Sequence, residues 1–164
     1  MIFVTVGTQR FPFDRLFKKL DELVEQNVIR DSIVAQVGYT QYTPKHFRSF
    51  PFISAEEMEK YIQESDLIIT HSGTSSIIKC LKYGKKVVVV PRLAKYKEHV
   101  DDHQLEIAQL FAAKNFIEPV YHIEELGEKI EKAKVGHYAS YNFDNSRLLQ
   151  SISNYLDELN KDLK

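Results

Sequence analysis

Short apolar, β-branched runs alternate with amphipathic stretches along this chain. Residues 2–6 (Ile-Phe-Val-Thr-Val) form a run closed by Gly7, which predicts a first strand. Phe13, Leu16, Phe17, Leu20, Leu23 and Val24 then recur at helical spacing and predict an amphipathic helix over 13–25. A second strand is expected over 33–37, again closed by a glycine, Gly38. A polar and aromatic loop over 39–45 leads to a short strand over 47–52. Ser54 and Glu57 stand at capping-box spacing and open a helix that runs through Ile62. The run 67–70 predicts a strand ending at His71-Ser72-Gly73, and a helix follows from Thr74 to Tyr83 with Gly84 as its stop. Residues 87–90 are four valines ended by Pro91, a pattern suited to a parallel strand buried on both faces. After a charged loop the spacing predicts a helix over 101–113, a weak strand over 115–120, and helices over 123–133 and 144–159.

Strands alternating with helices predict an α/β fold: a doubly wound, Rossmann-like parallel sheet covered on both sides. No repeat, low-complexity tract or linker divides the chain, so residues 1–164 are read as one domain, ending in the 144–159 helix. Ligands of such folds bind beyond the C-terminal ends of the strands. The loops to watch are therefore 7–13, 38–45, 71–74 and 91–104.

Composition narrows the partners. The 164 residues carry a formal net charge of -1, so no global basic field invites nucleic acid. The single cysteine, Cys80, excludes an intrachain disulfide and points to a reducing, cytoplasmic setting. No apolar run reaches the roughly 18 residues that a spanning helix needs. The apolar start lacks a basic flank and a cleavage site, and reads as a strand rather than a signal peptide.

Three loops carry candidate chemistry. Gly7-Thr8-Gln9 lies between a strand and a helix, where backbone N–H groups can face a phosphate. No G-x-G-x-x-G is present, which disfavours a dinucleotide dehydrogenase. His71-Ser72-Gly73-Thr74-Ser75 sets hydroxyls, an imidazole and a glycine at a helix N-terminus, a donor set suited to a diphosphate. Helix capping by Thr74 or Ser75 is the plainer alternative. A hydrolase is disfavoured because the G-x-S-x-G elbow is absent. The third loop, Glu98-His99-Val100-Asp101-Asp102-His103-Gln104, places side chains that hydrogen-bond sugar hydroxyls at the start of a helix. His99 and His103 are four apart, but no H-E-x-x-H supports a metal, and none is expected. Cys80 and the charged helix carrying Glu124, Glu125, Glu128 and Glu131 read as structural.

Taken together, these loops resemble the C-terminal, donor-binding half of family 28 glycosyltransferases, which have the two-domain GT-B fold. The likeness is carried by Val4-Thr5-Val6-Gly7-Thr8, Phe11-Pro12-Phe13-Asp14, Gln36-Val37-Gly38, Thr70-His71-Ser72-Gly73-Thr74, Val90-Pro91-Arg92 and Asp101-Asp102-His103-Gln104. Within that family the chain is similar to the short catalytic subunits of two-component N-acetylglucosaminyltransferases acting on dolichol-linked glycans. The reading takes it as closer still to their bacterial capsule and exopolysaccharide homologues.

The resemblance implies a UDP-sugar donor, an inverting transfer without metal or other cofactor, and a lipid-linked saccharide acceptor. It places Gly7 and Thr8 at the diphosphate, and Gln9 of the same loop is a further candidate donor-binding residue. It puts His71, Ser72, Gly73 and Thr74 near the nucleotide and phosphates, and His103 and Gln104 at the donor sugar; Ser75 and Asp102, beside them, are further candidate donor-binding residues. Many members bind the ribose with an acidic residue where this chain has Lys79, so Glu98 is the candidate substitute. The general base is not identified and is expected on a partner. The expected function is the donor-binding, catalytic subunit of a UDP-hexose transferase in capsule or exopolysaccharide synthesis, with galactose as first-choice sugar and N-acetylglucosamine second. It would lie peripherally at the inner face of the membrane through a membrane-associated, acceptor-binding subunit. A homodimer is the alternative assembly, and a non-catalytic nucleotide-sugar-binding regulator or an epimerase the alternative function.

Overall fold

The computed structural model describes residues 1–141 and positions 153, 154 and 157. The helix expected over 144–159 and its stripe of Leu148, Leu149, Ile152, Tyr155, Leu156 and Leu159 therefore fall outside the described residues, apart from those three positions.

The strands are β1 (Ile2–Thr5), β2 (Ile33–Gln36), β3 (Arg48–Phe50), β4 (Leu67–His71), β5 (Lys86–Val90) and β6 (Glu118–Pro119). The helices are α1 (Asp14–Glu25), α2 (Ala55–Glu64), α3 (Thr74–Lys82), α4 (His103–Ala113) and α5 (Leu126–Val135). All strand pairings are parallel, in the order β3-β2-β1-β4-β5-β6. This is the doubly wound sheet that the alternating pattern predicts.

Successive strand side chains leave by opposite faces, and the two cores divide accordingly. Ile2, Val4, Ile69, Val88 and Val90 pack with Phe13, Leu16, Phe17 and Leu20 of the α1 region and with Leu126 and Ile130 of α5. Phe3, Ile68, Val87 and Val89 pack on the other face with Ile77 and Cys80 of α3 and Ile107 and Phe111 of α4. The four valines of β5 thus serve both cores, as their unbroken apolar run implies.

Some element ends differ from expectation for local reasons. α4 begins at His103 rather than at 101. Asp101 accepts the His103 N–H at 3.1 Å, while Asp102 accepts the Ala94 N–H at 2.9 Å, so both aspartates serve the loop before the helix. The stretch 123–133 resolves into a 3₁₀ turn, Ile123–Glu125, followed by α5. The expected strand over 115–120 keeps only the two residues of β6.

Candidate functional site

Chain direction reverses across the sheet between β1 and β4. From β1 the chain winds outward to β2 and β3, then returns to place β4 on the other side of β1. The loops leaving β1 and β4 must diverge at this point, and a crevice opens between them. Gly7 and Thr8 line one wall, and His71, Gly73, Thr74, Ser75 and Ser76 the other. The cavity holds about 460 Å³, and its far end is apolar, lined by Phe52, Ile53, Met58 and Ile62. That size lies within the range of small-ligand sites.

The glycines of the crevice are needed for close approach. A Cβ on Gly7 would lie 2.6 Å from Nε2 of His71, and one on Gly73 would lie 2.7 Å from the same atom. The imidazole edge is thus sandwiched between the two loops. Gly7 also adopts a φ of +73°, which disfavours any side chain. Gly73 is the N-cap of α3 and supplies no side-chain bond, so the N–H groups of the first turn are left for a ligand. Thr74 and Ser75 line the cavity from that turn. An anion there meets oriented N–H groups and the positive end of the helix dipole.

Beneath the crevice lies a polar network built on Arg92, Gln104 and Glu98. Arg92 is buried, and its Nη1 donates to the carbonyls of Phe11 (2.9 Å) and Glu98 (3.2 Å). Its Nη2 donates to the Val6 carbonyl at 2.7 Å, and its Nε lies 3.4 Å from Nδ1 of His71. Burial lowers the Arg92 guanidinium to about 10, against the opposing pull of Glu98. Burial also drives His71 down to about 3, aided by the charges of Arg92 and His99, so the imidazole is neutral at ordinary pH. Gln36 braces the first loop by donating to the Gly7 and Pro51 carbonyls. Cys80 lines the cavity, but burial pushes its thiol up to about 12, which leaves it unreactive.

The structure brings together Gly7, Thr8, Gln9, His71, Gly73, Thr74 and Ser75. Ser72 is fully buried behind them, and its Oγ has no hydrogen-bond partner among the described residues. Gln104 lies elsewhere than expected. It is buried under the loops, where its Oε1 accepts the backbone N–H groups of Ser72 (3.2 Å) and Arg92 (3.0 Å). Its role here is to brace the loops from below. Glu98 is not placed to meet a ribose. It is buried, takes a two-pronged contact from Arg15 at 3.0 Å and also accepts the Leu93 N–H. Asp102 is occupied by Ala94, as described above. His103 points its Nδ1 at Asp101 (3.1 Å), which also meets His99 at 2.9 Å. None of Asp102, His103 or Glu98 lines the crevice. Lys79 does, with its ammonium 3.7 Å from Glu59. Among the described residues no group of three or more His, Cys, Asp or Glu side chains is placed to hold a metal ion. Arg92 and Gln36 stand in the sequence only within stretches that carry the resemblance, with no ligand chemistry of their own to mark them. The signal in the sequence was a cation directly after the apolar run and proline that end β5, and a glutamine closing the otherwise apolar β2.

Comparison with known proteins now bears on this geometry. The family described as the Glycosyltransferase family 28 C-terminal domain matches residues 1–161. A relative from Candida albicans, named UDP-N-acetylglucosamine transferase subunit ALG13, is 40% identical over 79 residues, covering 48% of this chain and 25% of its own. A mouse relative of the same name is 32% identical over 123 residues, covering 65% of this chain and 9% of its own. The chain therefore spans only a minor part of these curated relatives. The solution structure of ALG13 superposes with a TM-score of 0.59 at 20% identity, covering 90% of this chain and 94% of that one, which bears on the fold alone. These relatives overturn the expected capsule or exopolysaccharide role with galactose as the donor sugar. Both carry the name of a UDP-N-acetylglucosamine transferase subunit, as do the human and two further yeast relatives.

Proposed function

The chain belongs to the Glycosyltransferase family 28 C-terminal domain family, and from that membership we propose that it is the donor-binding subunit of a transferase that uses UDP-N-acetylglucosamine. The observation that carries this reading is the meeting of the Gly7 and Gly73 loops on the neutral imidazole of His71, at the uncapped N-terminus of α3. A diphosphate fits the polar end of the crevice. The apolar end, with Phe52 and Ile53, suits a flat nucleobase. The sugar named by the relatives supplies the choice of N-acetylglucosamine.

Binding and leaving-group stabilisation need no divalent ion in this reading. Charge that develops on the departing UDP meets helix-dipole and N–H donors held in place before the reaction. The crevice supplies one part of an active site, and no side chain in it is a convincing base for the acceptor hydroxyl: burial makes its imidazole a weak base, and the Nδ1 of that ring already faces N–H donors. A second, acceptor-binding component is therefore proposed, in keeping with the word subunit in the relatives' names. The resemblance of the loops to two-component transferases favours a membrane-associated partner and a lipid-linked saccharide acceptor, which would hold this chain at the membrane surface. Among the described residues no helix is long and apolar enough to cross a membrane.

Calorimetry of the chain with UDP and with UDP-N-acetylglucosamine, each with and without EDTA, tests the reading. Binding that survives EDTA is expected. Binding that requires a divalent ion would overturn the metal-free part, and failure to bind either ligand would overturn the whole.

A further inference from the structure

His71 is more closely specified than a ligand-facing histidine needs to be. Its Nδ1 faces two N–H donors, Nε2 of Gln104 at 3.1 Å and Nε of Arg92 at 3.4 Å. The orientation of the Gln104 amide is itself settled, because its oxygen accepts two backbone N–H groups, those of Ser72 and Arg92. The amide nitrogen is then the atom left to face His71. An imidazole nitrogen that faces only donors must be the acceptor, so the ring proton sits on Nε2. That nitrogen forms no hydrogen bond within the described residues, and it is the atom that meets the Cβ directions of Gly7 and Gly73 beside the cavity.

We propose that Arg92, acting with Gln104, is a positioning residue that fixes His71 as the Nε2–H tautomer, and that this one N–H, emerging between Gly7 and Gly73, is given to a diphosphate oxygen of the donor. The assignment rests on the donor-binding reading above. Arg92 follows directly after β5, its own N–H bound by Gln104, and its guanidinium also grips the carbonyls of Val6 and Phe11 on either side of the first loop. One guanidinium therefore sets both the ring's tautomer and the loop that faces it. A neutral donor has a chemical use here. It can stay bound through substrate, transition state and product without exchanging a proton, whereas a titrating imidazole would change its charge near neutrality. The titratable groups facing His71 are Arg92 and His99, and both disfavour its protonation.

The test begins with the free chain, labelled at histidine nitrogens and followed by long-range proton–nitrogen NMR from about pH 5 to about pH 8. His71 is expected to show a bare Nδ1 and a protonated Nε2 throughout. A proton on Nδ1, or titration within that range, overturns the inference. Adding UDP to the wild-type chain should then shift the Nε2–H signal. UDP binding with that signal unmoved overturns this inference alone, whereas absence of UDP binding overturns the donor reading together with it. Arg92→Lys combined with Gln104→Met removes both N–H donors from Nδ1 and should produce a mixture of tautomers; a ring still wholly Nε2–H in that folded double variant refutes the positioning role. Should that variant not fold, the pair His71→Gln and His71→Asn decides. The glutamine amide reaches the place of Nε2 and the asparagine amide that of Nδ1. His71→Gln should keep UDP affinity within about threefold, and His71→Asn should lose about tenfold or more, as for a buried bond to a charged group. The reverse order refutes the proposal.

Discussion

A methyl group at position 73 would meet the imidazole of His71, at 2.7 Å from Nε2 and 2.8 Å from Cε1. The φ of Gly73 is -87°, so alanine fits the backbone there and the effect of the substitution is one of contact. The ring cannot retreat freely, because Arg92 and Gln104 hold its other edge. Gly73→Ala is expected to cost about 1–3 kcal/mol of stability through overpacking. It should also weaken UDP binding about tenfold by displacing a hydrogen-bond donor. Urea unfolding and calorimetry measure the two, and unchanged UDP affinity would show that the ring does not face the ligand. The same residue shapes the acid limb of stability. His71 is held down to about 3 in the folded chain, first by burial and then by Arg92. The unfolded chain, with an ordinary histidine near 6.5, takes up its proton earlier as the pH falls. The contribution is thus complete above about pH 6.5 and lost as pH falls toward about 3, at roughly 1 kcal/mol per pH unit. In His71→Gln the loss of stability between neutral pH and about pH 5 should be smaller than in wild type. An equal loss in both chains would mean that His71 is not the group responsible.

At the scale of elements, the loop joining β2 to β3 is held by carboxylates on α1 and not by a helix of its own. Asp21 is buried and accepts from the Tyr42 hydroxyl at 2.5 Å and from the backbone N–H groups of Lys45 (2.8 Å) and His46 (3.1 Å). The hydrogen bond to Asp21 raises the Tyr42 phenol to about 12. One turn-pair earlier, Asp14 accepts the N–H groups of Gln41 and Tyr42. This loop carries Tyr39, whose ring meets that of Phe52 edge-on at 5.3 Å, and Phe52 lines the apolar end of the crevice. Asp21→Ala leaves two backbone donors and a phenol without their partner. It should destabilise the chain by about 2–4 kcal/mol, since each orphaned buried donor costs on the order of 1–3. Hydrogen exchange should speed up at residues 42–46 before it does in the strands. Protection there equal to wild type would show that the loop is held by other contacts. The sequence gives little sign of this anchor, because an aspartate within an amphipathic helix reads as solvated. Among the described residues most elements were legible, since strands such as β1 and β5 and helices such as α1 carry their period in their own residues, whereas the strand expected over 115–120 shrinks to β6. Gly7, His71 and Gly73 were legible for the same reason: each sits at a strand-to-helix junction. Gln104, Glu98 and Asp102 are polar residues in and before the start of α4, and their partners are set by the fold: Ser72 in the loop after β4, Arg15 on α1 and Ala94 at the start of the segment after β5. No local pattern separates such a strut from a ligand contact.

At the scale of the whole molecule, a donor crevice without an acceptor-binding wall should bind without transferring. The polar end of the crevice offers N–H groups from the loops after β1 and β4 to the proposed diphosphate, yet the side chains gathered there are neutral donors or are committed to one another. The imidazole best placed to act as a base carries its proton toward the ligand and faces N–H groups on its other side. Transfer to a hydroxyl needs a group that accepts its proton and a surface that holds the acceptor in line with the sugar. Bringing the two reactants together in fixed orientation accounts for roughly 7–11 kcal/mol of barrier in favourable cases. A chain that binds the donor but lacks this wall should therefore turn over slower by many orders of magnitude, while its donor affinity stays close to that of the assembled enzyme. The measurement is transfer of labelled N-acetylglucosamine from the UDP donor to a lipid-linked saccharide. It is made with the chain alone, with the chain and a membrane-associated acceptor-binding component, and with the chain concentrated enough to self-associate. Activity is expected only in the second case. Turnover that rises with the square of the chain's own concentration would assign the acceptor-binding wall to another copy of this chain. Full turnover at low concentration by the chain alone would place acceptor site and base within it, and the reading of a missing acceptor-binding wall would fall.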